Sequence, residues 1–367
     1  MNNSNRHLGI EILRVLSMLM IVTLHWGGFG IHILELRPFT SEWFFAWGVR
    51  GVAYMSVNIY VLISAYFLYD RMVSSKKIYQ LWFEVVFYSF GIYILSIAAG
   101  NASFSIKSLV YFTTPVLSKA YWYVTSYVGM LLISPYLNLS LKALSMKQHR
   151  DLCILLIVLF SVIPNFFFWS NWLNWGTSCG IVWFVVLYVI GAYIRRMYEN
   201  NAPPKNTRKV LIWSVILWGA PLVSKTIIAL IKQSLTGDMV GSSIFYMNNS
   251  VIILAGSICT FLLFKTINIS GAIKRNLICF MSQGSLAVYL IHEHDCLREL
   301  IWDFVDAHTI RAFPHIVLHY LLAIFTIYVS CIVIDFFRRE LFACLRINRM
   351  ADVLSNYTSK IYTKLNI

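Results

Sequence analysis

Ten apolar stretches, each near the length of a bilayer crossing, follow one another along the 367-residue chain. They lie at about residues 8–30, 44–68, 78–99, 121–141, 151–169, 179–197, 209–231, 244–264, 277–296 and 315–337. A helix crosses the hydrocarbon core of a membrane in about 20 residues. None of the stretches alternates apolar with polar residues as a half-buried strand would. Inside lipid no water is available to bond backbone N–H and C=O groups, so a spanning segment must satisfy them itself, as a helix does. The composition agrees, with 59% apolar and only 13% charged residues, against about 25% charged in soluble domains. The expected fold class is all-α: a polytopic integral membrane helical bundle of about ten transmembrane helices.

The formal net charge of +14 would suit a nucleic-acid binder only if gathered on one face of a soluble fold. In a membrane protein it reads as orientation. With the N-terminus inside, inner segments hold 21 of the 30 Lys and Arg residues. Outer segments hold 7 (Arg37, Arg50, Lys107, Lys119, Lys232, Arg298 and Arg311), and Arg14 and Lys225 fall within spans. Basic residues gather on the cytoplasmic side, so both termini are expected in the cytoplasm of a multi-pass cell-membrane protein, of bacterial plasma-membrane type. The first stretch follows Arg6 as a signal peptide would. Its length, its internal charges and the lack of a small-x-small cleavage site before Glu35 mark it as retained.

The polar stretch NNAPPKNTRK around Pro203 and Pro204, near 198–208, is the one obvious inner linker. It separates six spans from four, with no internal repeat. Residues 1–340 form the expected transmembrane domain and 341–367 a basic amphipathic tail on the inner leaflet. Trp169, Trp172 and Trp175 cluster in an outer loop, as an interfacial aromatic belt or a platform for stacking sugars. The seven cysteines are scattered, without CxxC, and read as small buried side chains.

Candidate chemistry begins in the first span, IEILRVLSMLMIVTLHWGGF from Ile10 to Phe29, which carries Glu11, Arg14 and His25. Arg14 and His25 are eleven positions apart, so on a helix they share a face to within roughly 20°, separated by a rise of roughly 16 Å. A fixed cation and a titratable imidazole on one face of a membrane helix point to function, and histidine is the side chain best suited to proton transfer. A snorkelling arginine and a histidine hydrogen-bonded between helices are the alternative.

Arginine, ten residues, then histidine in a first transmembrane helix resembles the pattern of the membrane acyltransferase-3 family. Three further stretches resemble the same family, in its order. VNIYVLISAYFL (Val57 to Leu68) resembles its second helix, with Asn58 where an acid is often found, Tyr60 among the aromatics, Ser64, and Ala65 in place of the usual glycine. Just inside, Arg71 with Ser74, Lys76 and Lys77 stands where the family often carries Arg-x-x-Arg. These charges suit the phosphates of coenzyme A, and orientation alone accounts for them equally well. Trp122 and the SPYL run resemble the fourth helix, and FMSQGSLAVYLIH, with Tyr289 and His292, the ninth. Glu293, His294 and Asp295 follow His292 without metal-ligand spacing, so no metal is expected.

The resemblance implies an integral membrane O-acyltransferase. It would move an acyl group, usually acetyl, from acyl-CoA to a hydroxyl of a cell-surface or capsular glycan. His25, as the base, and Arg14, holding the donor or its transition state, are the candidate catalytic residues, and Arg14, Arg71, Lys76 and Lys77 the candidate donor-binding residues. Glu11, Asn58, Tyr60, Ser64, Trp122, Tyr289 and His292 are candidate supports. Acetyl-CoA is the expected donor substrate, with no permanently bound cofactor. A transporter or flippase of lipid-linked oligosaccharide is the competing class; it should show inverted repeats or paired broken helices, and the sequence displays neither.

Overall fold

A computed structural model describes residues 6–71, 74–167, 178–200, 206–269, 271–305 and 312–364. Trp169, Trp172, Trp175, Pro203 and Pro204 lie outside the described residues. Among the described residues there are helices and no strand. In chain order these are α1 (Leu8–His25), α2 (Ser41–Ala53), α3 (Met55–Leu68), α4 (Ser75–Ala98), α5 (Ile106–Thr113), α6 (Trp122–Ala143), α7 (Met146–Ile157), α8 (Ile163–Phe166) and α9 (Ile181–Glu199). They continue with α10 (Thr207–Thr236), α11 (Val251–Thr266), α12 (Ala272–Gln283), α13 (Ser285–His292), α14 (Arg298–Val305), α15 (His315–Cys344) and α16 (Ile347–Lys364). Eight segments are long and apolar enough to cross a membrane, and α11 is a shorter apolar helix. With the α12–α13 pair, every stretch found in the sequence has a helical counterpart, and the protein is a polytopic helical membrane bundle.

Two of the spans are interrupted. Tyr54 separates α2 from α3 and Gly284 separates α12 from α13, a feature the sequence does not announce. Each break is one residue still in the right-handed helical region (φ −60°, ψ −19°; φ −86°, ψ 0°). The backbone stays in the helical region through both, unlike the open half-helices of transporters. At Gly284 a Cβ would lie 2.7 Å from Ile332 Cδ1 and 3.1 Å from Asp335 Oδ2, so α15 presses on the break.

α1 is the axis of the bundle. It packs against α2, α3, α11, α12, α13 and α15, and passes from one apolar core into another. Ile10 and Leu13 join a core with Leu62, Phe184, Leu187 and Phe261; Val22 and Trp26 join one with Trp43, Trp47, Tyr121 and Tyr328. The α3–α9 contact rests on small residues: a Cβ on Gly191 would come 2.6 Å from that of Ala65, so the helices can close only without it. The outer helices are apolar outward too. α15 exposes Leu318, Leu321, Leu322 and Phe325, an i, i+3, i+4, i+7 stripe suited to lipid.

Charges near the end of α15 read in the sequence as simple inner-end charges. The structure instead buries Asp335, which pairs with Arg338 at 2.5 Å and Arg339 at 3.0 Å and accepts the Tyr88 hydroxyl at 2.9 Å. Arg338 also reaches Glu84 at 3.1 Å. A carboxylate inside a membrane bundle must be paired in this way. Helix α16 packs on α4 through Lys76–Asp352 (2.7 Å) and Gln80–Asn348 (2.7 Å). All seven cysteines are free.

Candidate active site

A cavity of about 440 Å³ opens among α1, α3, the start of α4, α6 and α13, within the range of small-molecule sites. Arg71, Ser74 and Lys77 line one end; Arg14, Tyr60, Ser64 and Tyr127 follow; His25, Trp122 and Tyr289 line the other. Antiparallel packing of α1 and α3 makes this order. α1 rises from Arg14 to His25 while α3 descends toward Arg71, and the Tyr60 hydroxyl ties them by donating to the Arg14 carbonyl at 2.7 Å.

The cavity gathers eight of the residues singled out in the sequence: Arg14, His25, Tyr60, Ser64, Arg71, Lys77, Trp122 and Tyr289. Four others lie outside its wall. Lys76 turns to Asp352 of α16. Asn58, fully buried, donates to the Asn248 carbonyl at 2.7 Å and accepts the Trp183 indole N–H at 3.0 Å, so it joins helices. Glu11 sits behind Arg14, and His292 behind His25.

Toward the basic end, Arg14 Nη1 donates to Glu11 Oε1 at 2.9 Å. The other Glu11 oxygen accepts the Ser282 hydroxyl at 2.5 Å and faces Arg6 at 3.6 Å. Glu11 thus fixes the guanidinium from behind and fastens α1 to α12.

At the far end the hydrogen bonds dictate a tautomer. His292 Nδ1 lies 2.5 Å from the Val288 carbonyl; a carbonyl only accepts, so Nδ1 carries the proton and Nε2 of the neutral ring is an acceptor. His25 Nδ1 lies 2.8 Å from that Nε2 and must donate to it. The basic lone pair of His25 is therefore on Nε2. Glu293 Oε2 stands 3.1 Å from His25 Nδ1, off the N–H direction, so it acts by charge rather than as the hydrogen-bond acceptor. Its other oxygen accepts from Arg298 at 3.0 Å, and Arg298 stacks over Phe29 at 4.8 Å. In hydrolytic triads the carboxylate itself accepts the Nδ1 proton; here His292 accepts it and Glu293 adds its charge beside it.

Ligand-capable atoms of His25, His292 and Glu293 lie within 4.8 Å of one another. Tetrahedral zinc with bonds of 2.0–2.1 Å would hold two nitrogens roughly 3.4 Å apart. The imidazoles meet at 2.8 Å in a donor–acceptor pair, a poor fit to a metal. His294 and Asp295 point elsewhere, to the Ser89 carbonyl (2.9 Å) and the Tyr111 hydroxyl (3.0 Å).

Two residues at this end escape a reading of the sequence. Glu293 figures there only as a neighbour in a rejected metal cluster; α13 stops at His292, and the next residue turns back toward His25. Arg50 figures there only as an outer charge. His25 is the last α-helical residue before a π-helical turn, Trp26–Gly30, and Arg50 Nη1 donates to the Leu24 carbonyl at 3.0 Å. A Cβ on Gly27 would come 2.8 Å from that Nη1. The Gly27-Gly28 pair following His25 is the available signal, since π-turns are frequent at functional sites.

No curated protein and no solved structure matches the chain. The family model Acyl_transf_3, described as an acyltransferase domain, matches residues 7–335 and takes in every residue lining the cavity. The chain belongs to this family and is a multi-pass membrane acyltransferase.

Proposed function

We propose that the protein takes an acyl group, acetyl in the simplest case, from acyl-CoA at the Arg71–Lys77 mouth and transfers it to a hydroxyl of a cell-envelope or capsular glycan at the His25 end. One observation carries the reading: a single cavity joins a basic mouth, Arg14 and a histidine whose free nitrogen is Nε2. The eleven-residue rise from Arg14 to His25, roughly 16 Å, is comparable to the reach of a pantetheine arm. Phosphates held at the mouth would present the thioester near His25. The basic mouth lies at the cytoplasmic side by the distribution of charge, and the glycan meets the thioester from the opposite side.

In this mechanism His25 Nε2 takes the proton of the attacking hydroxyl. The resulting imidazolium keeps its Nδ1–H on His292 and is stabilised by the Glu293 carboxylate. Arg14, braced by Glu11, holds the donor. The test compares acyl groups released by mild hydrolysis from surface polysaccharide of cells with the protein, without it, and with His25→Ala. Transfer should require the wild-type protein, and His25→Ala should lose at least ~100-fold in kcat, the scale of a general base. A purified His25→Ala protein working near the wild-type rate would refute the mechanism.

A further inference from the structure

We infer that the phenol of Tyr289 is the hydrogen-bond donor that receives the thioester carbonyl oxygen as charge develops on it; this rests on the acyl-transfer reading above. Tyr289 lines the cavity and is 4% exposed, yet its buried hydroxyl finds no acceptor for its proton among the described residues. Burying a hydroxyl donor unpaired is unfavourable, so a ligand that offers this one an acceptor gains a hydrogen bond the free protein lacks. Two neighbouring hydroxyls are already engaged: Tyr60 donates to the Arg14 carbonyl and Tyr121 to the Leu290 carbonyl at 2.9 Å.

The position is suited to the task. Tyr289 lies one turn before His292, so α13 carries on one side the acceptor of the His25 proton and the unpaired phenol.

Acyl transfer needs such a group. The acceptor oxygen bonds to the thioester carbon as His25 Nε2 takes its proton, and the carbonyl π pair moves onto oxygen. Tyr289 O–H donates to that oxyanion. The pair then returns, the C–S bond breaks, and the thiolate leaves with the proton from His25, giving ester and free thiol. Donors placed where charge develops supply a large share of catalysis in acyl transfer.

Tyr289→Phe removes one oxygen and keeps the ring. With acetyl-CoA as donor, its kcat should fall by about 10²–10³, the scale for one oxyanion donor, with KM little changed. A thioether analogue, S-ethyl-CoA, has no carbonyl for the phenol to meet, so wild type and variant should bind it equally. A variant with wild-type kcat overturns the inference. A variant that loses S-ethyl-CoA binding also overturns it, by giving the hydroxyl a structural role. Wild-type protein that transfers no acyl group from acetyl-CoA sinks the functional reading itself, and that is a distinct result.

Discussion

Replacing Glu293 by glutamine isolates charge from shape at the base. The amide oxygen of the new side chain would still accept from Arg298, and the His25–His292 hydrogen bond would remain, so only the carboxylate's charge is lost. Unit charges 3.1 Å apart interact by about 5 kcal/mol at an effective dielectric near 20. Arg298, on the far carboxylate oxygen at 3.0 Å, opposes the imidazolium from farther away and cancels a little over half of this at the same effective dielectric. The remainder, about 2 kcal/mol, is roughly 30-fold in rate. Glu293→Gln should therefore lower kcat by about that factor, measured as acetyl transfer by purified protein at saturating acetyl-CoA, with donor KM unchanged. Because the carboxylate acts only through His25, Glu293→Gln should cost nothing further in a His25→Ala background. Wild-type kcat in the single variant, or an additional loss in the double, would refute the reasoning.

Removing charge at the cavity mouth, by Arg71→Gln with Lys77→Gln, should raise donor KM with a smaller change in kcat. Lys76→Gln, which removes only a contact with Asp352, should leave donor KM alone. Arg14→Lys should impair transfer in a protein that still inserts and accumulates, since a point charge cannot reproduce the guanidinium fork that Glu11 braces. Gly27→Ala should displace Arg50 from the Leu24 carbonyl and lower kcat without abolishing S-ethyl-CoA binding. Cysteines added at either terminus should resist impermeant labelling in intact cells and react once the cells are opened; labelling in intact cells would overturn the orientation.

Helix periodicity made the central pair legible. Arg14 and His25 stand out because each is costly in an apolar stretch and their spacing puts them on one face, and both line the cavity. Periodicity also divides the adjacent lysines: about 100° per residue sends Lys77 to the cavity and Lys76 to α16, a split visible only once the neighbours are known. Glu293 was hidden because it lies past the end of a helix, where period ceases to predict direction. Arg50 was hidden because nothing local says which distant carbonyl a cation will find. Asp335 read as an end charge because the sequence does not reveal that Tyr88, Arg338 and Arg339 surround it. The Gly284 break was silent for a similar reason: glycine is common in transmembrane helices, and only Ile332 and Asp335 pressing on it mark the place.

The α12–α13 segment touches α1 twice, through Ser282 on Glu11 and through His292 on His25, and α15 braces it between those points at Gly284. Two rods bolted together at two places keep their bolts at a fixed spacing, whatever surrounds them. Bilayers of different thickness are ordinarily met by changes of helix tilt or bend, which, on the proposed mechanism, would alter how far a tethered thioester must extend to reach His25. Here that distance is set inside the protein, by side chains, and the surrounding lipid has little leverage over it. Reconstitution in vesicles of progressively longer acyl chains should accordingly leave kcat nearly flat, whereas cutting one bolt with Ser282→Ala should make the rate follow membrane thickness.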